Sequence, residues 1–125
     1  VWRVEDELIA LANAARGEGG LAGVWVHPGL VRFARAHAER LAGELNLYHQ
    51  DLTPVLNETD LNWAAENIAC GQPDAATAHL AWWNSPGHHA NIMNPEFDQI
   101  GVGVAQGRNG TWFYVQLFGR RETLA

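Results

Sequence analysis

The sequence predicts an α+β fold built as a three-layer sandwich. Three observations carry that prediction. Helical apolar periods fill the N-terminal part of the chain, alternating apolar strands close it, and the last strand is apolar on both faces. A strand with two apolar faces is central and covered on both sides, so the helices that precede it must supply both outer layers.

Each element has its own signal. Residues 4–16 form the first helix: Val4, Leu8, Leu11, Ala12 and Ala15 fall at helical spacing, and Glu5, Asp6 and Glu7 stand in the first turn, where the helix dipole favours negative charge. Gly17, Gly19 and Gly20 stop it. Val24-Trp25-Val26 leads into His27-Pro28-Gly29, and a second helix follows over residues 30–45. Leu30, Ala34, Ala38, Leu41 and Leu45 are its buried stripe, and Arg32, Arg35, Glu39 and Arg40 its wet face. Residues 46–62 show no period and read as a loop with one helical turn at most; connections of that length in compact domains are functional more often than average. Residues 63–69 read as a short buried strand. Asp74 is placed to cap a helix through Trp83, and Ser85-Pro86 opens another, with Ser at the cap and Pro at the first position, ending near Asn94-Pro95. Ile100, Val102 and Val104 alternate with Gly101 and Gly103, and Asn109-Gly110 predicts a type I′ hairpin turn. The return strand, residues 111–118, sets Trp112, Tyr114, Gln116 and Phe118 on one face and Phe113, Val115 and Leu117 on the other.

Composition narrows the function classes. At 125 residues and 13.7 kDa the chain is predicted to be a single domain over residues 1–125, and 47% hydrophobic with 18% charged residues excludes disorder and fibrous classes. The formal net charge is -6, and all 8 basic residues are arginines, with no basic cluster. That argues against a nucleic-acid partner or an anionic-membrane patch. No apolar run approaches the ~20 residues of a transmembrane segment. The chain opens on Val1 without a signal-peptide pattern, which fits either a cytosolic protein or numbering that starts after a removed targeting segment. Cys70 is the single cysteine, so an intramolecular disulfide and a thiolate metal cluster are both excluded. Six tryptophans predict a Trp-rich core or an aromatic-lined groove.

Six histidines and one carboxylate hold the candidate chemistry. His37 lies at the edge of the second helix's apolar stripe and reads as a hydrogen-bonded, partly buried side chain. His27 and His79 read as surface or capping residues. His49 stands in the long loop. His88 and His89 are adjacent at a helix start, so they diverge by about 100° and at most one faces a given site. Glu66 sits in the apolar segment Trp63-Ala64-Ala65-Glu66-Asn67-Ile68-Ala69, where an unpartnered charge is costly, so it must reach solvent, an arginine, a histidine or a metal. There is no His-Glu-x-x-His helix and no phosphate loop, and Gly101-Val102-Gly103 runs into strand instead of helix. Cys70 lacks a neighbouring base and reads as an inert buried thiol, and Ser85 is accounted for as a cap.

Taken in order, Leu11-Ala12-Asn13-Ala14-Ala15-Arg16, Ala36-His37-Ala38, His49, Glu66-Asn67-Ile68-Ala69, Trp82-Trp83-Asn84-Ser85-Pro86-Gly87-His88 and Phe97-Asp98-Gln99-Ile100-Gly101-Val102-Gly103 resemble the CAP superfamily (cysteine-rich secretory proteins, antigen 5 and pathogenesis-related 1) in its cysteine-poor bacterial form. The resemblance spans residues 4–120 or so. It implies an α-β-α sandwich with a central antiparallel sheet and a cleft lined by two histidines and, in many members, two glutamates. His49 matches the first histidine, Glu66 the glutamate of the Glu-Asn-Ile-Ala motif, and His88 the second histidine. The other glutamate falls at about Ser85, and the glycine that usually precedes the first is Ala65, so the four-residue set is reduced to three. Two imidazoles with a carboxylate or water suit a divalent ion, zinc foremost, with His49 and His88 as ligands; the alternative is a hydrogen-bonded structural network. The resemblance further implies a protein that is secreted or associated with the cell envelope, binding an extracellular ligand. Two other functions stay open: a metal-assisted or His/Glu hydrolase of peptides or cell-wall material, with Glu66 as catalytic base, and a lipid or sterol carrier using Trp63, Trp82 and Trp83.

Overall fold

The two strongest helical periods become the two longest helices, α1 (Trp2–Glu18) and α2 (Pro28–Glu44), in a computed structural model that describes residues 2–121. The predicted domain of residues 1–125 also takes in Val1 and residues 122–125, which lie outside the described residues. Between and after these helices come β1 (Trp25–Val26), α3 (Thr53–Asn57), β2 (Leu61–Cys70), α4 (Ala75–Trp83), α5 (Pro86–Ile92), β3 (Gln99–Gln106) and β4 (Trp112–Arg121). The sheet order is β1-β3-β4-β2.

The sheet has a helical layer on each side, as the two apolar faces of β4 require. Phe113, Val115 and Leu117 pack with Leu30, Ala34, Ala38 and Leu41 of α2 and with Val55 of α3. On the opposite face, Tyr114 and Phe118 join Ile100, Val102 and Val104 against Leu8 and Ala12 of α1, Ala78 and Trp82 of α4, and Ile92 of α5. The alternation in β3 explains how closely α2 lies on the sheet. A Cβ at Gly101 would run into the backbone of Leu30 and Val31, and one at Gly103 into that of Ala34 and Arg35.

Several sequence expectations are corrected in detail. The three long strands are antiparallel, but the sheet as a whole is mixed, because β1 pairs parallel with β3 at Trp25–Gln99 and Val26–Ile100. The hairpin is not a two-residue type I′ turn. Such a turn needs positive φ at both central residues, and Leu45 is the one non-glycine residue with positive φ among the described residues. Instead Gly110 N donates to Gly107 O at 2.9 Å, Gly107 N donates to Thr111 O at 2.8 Å, and Gly110 alone takes the left-handed conformation, φ 87°. The loop is therefore Arg108-Asn109-Gly110, closed by a glycine bulge. Asp74 caps α4 through Thr77 N as expected, whereas Ser85 occupies the cap of α5 without a side-chain cap bond. His27 is the cap of α2: its Nδ1 accepts from Gly29 N and Leu30 N, which leaves Nε2–H to donate to Asp60 Oδ1 at 2.7 Å.

Candidate functional site

β2 is an edge strand, bonded to β4 on one side, and its consecutive residues Glu66 and Asn67 project to opposite faces. Two segments converge on its other edge: the loop after α2, which carries His49, and α5, which carries His88.

The loop is held by the buried histidine of α2. Arg40 Nη2 donates to His37 Nδ1 at 3.0 Å, so the ring proton is on Nε2, which donates to Tyr48 O at 2.7 Å. Tyr48 Oη donates to Glu44 Oε2 at 2.8 Å and fixes the same residue from its other end. His49 follows directly. Its Nδ1 donates to Glu66 Oε1 at 2.9 Å, with the His49 side chain 59% exposed and that of Glu66 2% exposed. Gln50 completes the carboxylate's partners: its backbone N–H donates to Oε1 at 3.1 Å and its Nε2 to Oε2 at 2.7 Å. The buried carboxyl group that the sequence required to find a partner has found a histidine and an amide. With Nδ1 engaged by Glu66, Nε2 is the ring nitrogen of this exposed side chain that the carboxylate leaves free.

His88 approaches from α5. Burial, and then nearness to His49, hold its imidazole below the ordinary histidine range, which favours its neutral form. Its Nδ1 is buried without a protein partner. His89 turns away, as adjacent helical positions must: its ring lies 3.9 Å from that of Trp83, and its Nδ1 meets Trp83 O at 3.1 Å. The structure thus brings His49 and Glu66 into contact and places His49 within electrostatic range of His88. Among the described residues, no group of three or more His, Cys, Asp or Glu side chains stands together in a metal-binding arrangement.

Four site residues escaped the sequence reading, all of them amides. Gln50 holds Glu66. On the other face Asn67 and Gln116, paired across β2 and β4 and both fully buried, bond through Asn67 Nδ2 and Gln116 Oε1 at 2.9 Å. Asn91 Nδ2 donates to Asn67 Oδ1 at 2.9 Å. The apolar surroundings of Asn67 and Gln116 were the available signal, because a buried amide needs partners as surely as a buried charge does.

The remaining candidates settle elsewhere. His79, expected at the surface or a cap, is 9% exposed, because α4 packs on α1 and the ring stacks on Trp83. Cys70 is half-buried at the end of β2. Of the three tryptophans considered for an apolar groove, Trp82 belongs to the core, with its indole N–H on Ile68 O at 3.0 Å. Trp63, 45% exposed, packs against Phe97 with the rings 4.9 Å apart and tilted by 52°.

The helix–sheet–helix sandwich matches the fold that the sequence motifs imply. The family described as the cysteine-rich secretory protein family, CAP, matches residues 9–118, and the chain belongs to it. The chain is 32% identical over 123 residues to the uncharacterized protein YkwD of Bacillus subtilis, covering 93% of this chain and 47% of YkwD. The chain spans less than half the length of the curated relatives it matches. Among solved structures it resembles an outer surface protein from Borrelia burgdorferi (TM-score 0.86, 22% identity, 94% of this chain and 92% of that one). It also resembles an extracellular protein containing an SCP domain from Bacillus anthracis (TM-score 0.83, 27% identity, 94% and 40%).

Proposed function

We propose that the chain is a binding domain whose ligand site is the His49/His88 pair at the outer edge of β2, taking a divalent cation, zinc foremost, and working outside the cell in a secreted or envelope-associated protein. One observation carries the proposal: Glu66 accepts the Nδ1 proton of His49 at 2.9 Å, which leaves Nε2 of that exposed side chain as the nitrogen available to a ligand. A carboxylate behind a ligating imidazole fixes its tautomer and raises its basicity. Both oxygens of Glu66 already accept hydrogen bonds from His49 and Gln50. That favours an orienting role for Glu66 over one as base or direct ligand. Neutral His88 supplies the second nitrogen, and two imidazoles suit zinc with open positions left over. A bound ion would supply positive charge to which an anionic or carbonyl group of the extracellular ligand could attach. The structurally similar NaASP2 (TM-score 0.69, 12% identity, 94% of this chain and 83% of that one) has been crystallised with Zn2+, which supports the choice of ion. The extracellular setting is supported by the Bacillus anthracis relative, described as extracellular.

Calorimetric titration of chelator-stripped protein with zinc tests the site. The parent should bind about one ion per chain, and His49→Ala and His88→Ala should each lose that binding. Equal heats from all three proteins would remove the site.

A further inference from the structure

α5 is seven residues long, too short to be stable alone, and its cap serine makes no side-chain bond, so its placement depends on tertiary contacts. Two side chains provide hydrogen bonds at its two ends. Arg16 of α1 holds the C-terminal end through Ile92 O at 2.9 Å and Asn94 O at 2.8 Å. Asn67 of β2 holds the turn that carries His88. Its Nδ2 donates to His88 O at 3.2 Å as well as to Gln116 Oε1, and its Oδ1 accepts from Asn91, one turn further along. Asn91 Nδ2 also reaches Glu66 O at 3.4 Å, so the same amide cluster touches the backbone of the residue that orients His49.

The chemistry of the position is selective. Both N–H bonds of the Asn67 amide are donated and its oxygen accepts, so neither a carboxylate nor an apolar side chain of that size can replace it. The same sheet face is otherwise apolar, formed by Ala65, Ala69, Tyr114 and Phe118. Gln116 keeps its Nε2 buried without a partner while its oxygen receives Asn67. An apolar pair in place of the two amides would remove the orphaned Gln116 Nε2, but it would strip His88 O and Asn91 Nδ2 of their Asn67 partner. What an apolar pair could not do is hold His88 O and Asn91 at fixed distances from the strand.

We propose that Asn67 is the positioning residue of the cleft: its buried amide sets the place of His88 relative to the His49–Glu66 pair, and thereby how tightly the two imidazoles hold a divalent cation, without touching the cation itself. This rests on His49 and His88 being the cation ligands, as proposed above.

The test compares parent, Asn67→Ala and Asn91→Ala by zinc calorimetry and by the imidazole NMR resonances of His49 and His88 in zinc-free protein at fixed pH. In Asn67→Ala zinc affinity should fall by about tenfold or more, the usual effect of removing a partner behind a ligand. The His88 resonance should move while that of His49 stays. Asn91→Ala, at a half-buried position, should move His88 in the same sense by less. A folded Asn67→Ala protein with the parent's His88 resonance and zinc affinity would overturn the proposal; a purely structural amide would lower the melting temperature and move neither. If Asn67→Ala does not fold, an unmoved His88 resonance in Asn91→Ala overturns it instead. If the parent binds no zinc, the cation site fails, and the His88 resonances still decide whether Asn67 positions that residue.

Discussion

Arg16 is 1% exposed and makes no salt bridge with a carboxylate among the described residues. Its guanidinium donates instead to four carbonyls, those of Ala22, Ile92, Asn94 and Phe97, at 2.8–3.0 Å. The Ile92 and Asn94 carbonyls belong to the C-terminal end of α5, where the helix dipole is negative and a cation is favoured. Truncation would leave four carbonyls facing a cavity, so Arg16→Ala should cost on the order of 4 kcal/mol in urea unfolding, and Arg16→Lys should recover little, since one ammonium cannot span the four sites. A loss below about 1 kcal/mol in Arg16→Ala would contradict this. The difference between charged and neutral polar residues also explains what was legible at this scale. Glu66 stood out in an apolar segment because a buried charge is conspicuous. Asn67, Asn91 and Gln116 did not, because amides carry no charge and their partners lie 24 and 49 residues away in the chain.

Elements with a strong period were legible; those defined by a distant partner were not. α1 and α2 follow from apolar spacing, and α4 from its Asp74 cap, whereas β1 is two residues long and exists only because Trp25 N and His27 N donate to Asp98 O and Ile100 O of the β3 region. The dipeptide Asn109-Gly110 marks the place of the hairpin but not its geometry, since dipeptide preference does not fix loop length. The α1–α4 contact has a consequence for pH. Burial of His79 lowers its imidazole below the ordinary range, so the folded protein favours the neutral form. The unfolded chain takes up that proton near pH ~6.5. Stability is therefore full above that pH and declines as pH falls through it towards the lower folded value. Melting temperatures measured from about pH 7.5 down to about 5.5, a window spanning the ordinary histidine range, should fall in the parent and fall less in His79→Leu, with His88, shifted the same way, keeping part of the decline. Equal declines in the two proteins would assign the effect elsewhere.

At the scale of the molecule, the three-layer arrangement was legible from one strand, β4, whose two apolar faces demand helices on both sides. The position of the site was not. No local pattern states that β2 ends up at the sheet edge, or that the loop after α2 and the start of α5 meet there. Motif resemblance supplied His49, Glu66 and His88, and the geometry supplied the direction of the bond between the first two. That bond is where the proposed function is most exposed to test. The decisive measurement is the nitrogen-15 imidazole spectrum of His49, recorded in zinc-free protein and again with zinc. The proton should be on Nδ1 before zinc is added, with the zinc-induced shift confined to Nε2. A proton on Nε2 in the free protein, unchanged by zinc, would contradict the proposed orientation of His49 by Glu66 and the cation site built on it.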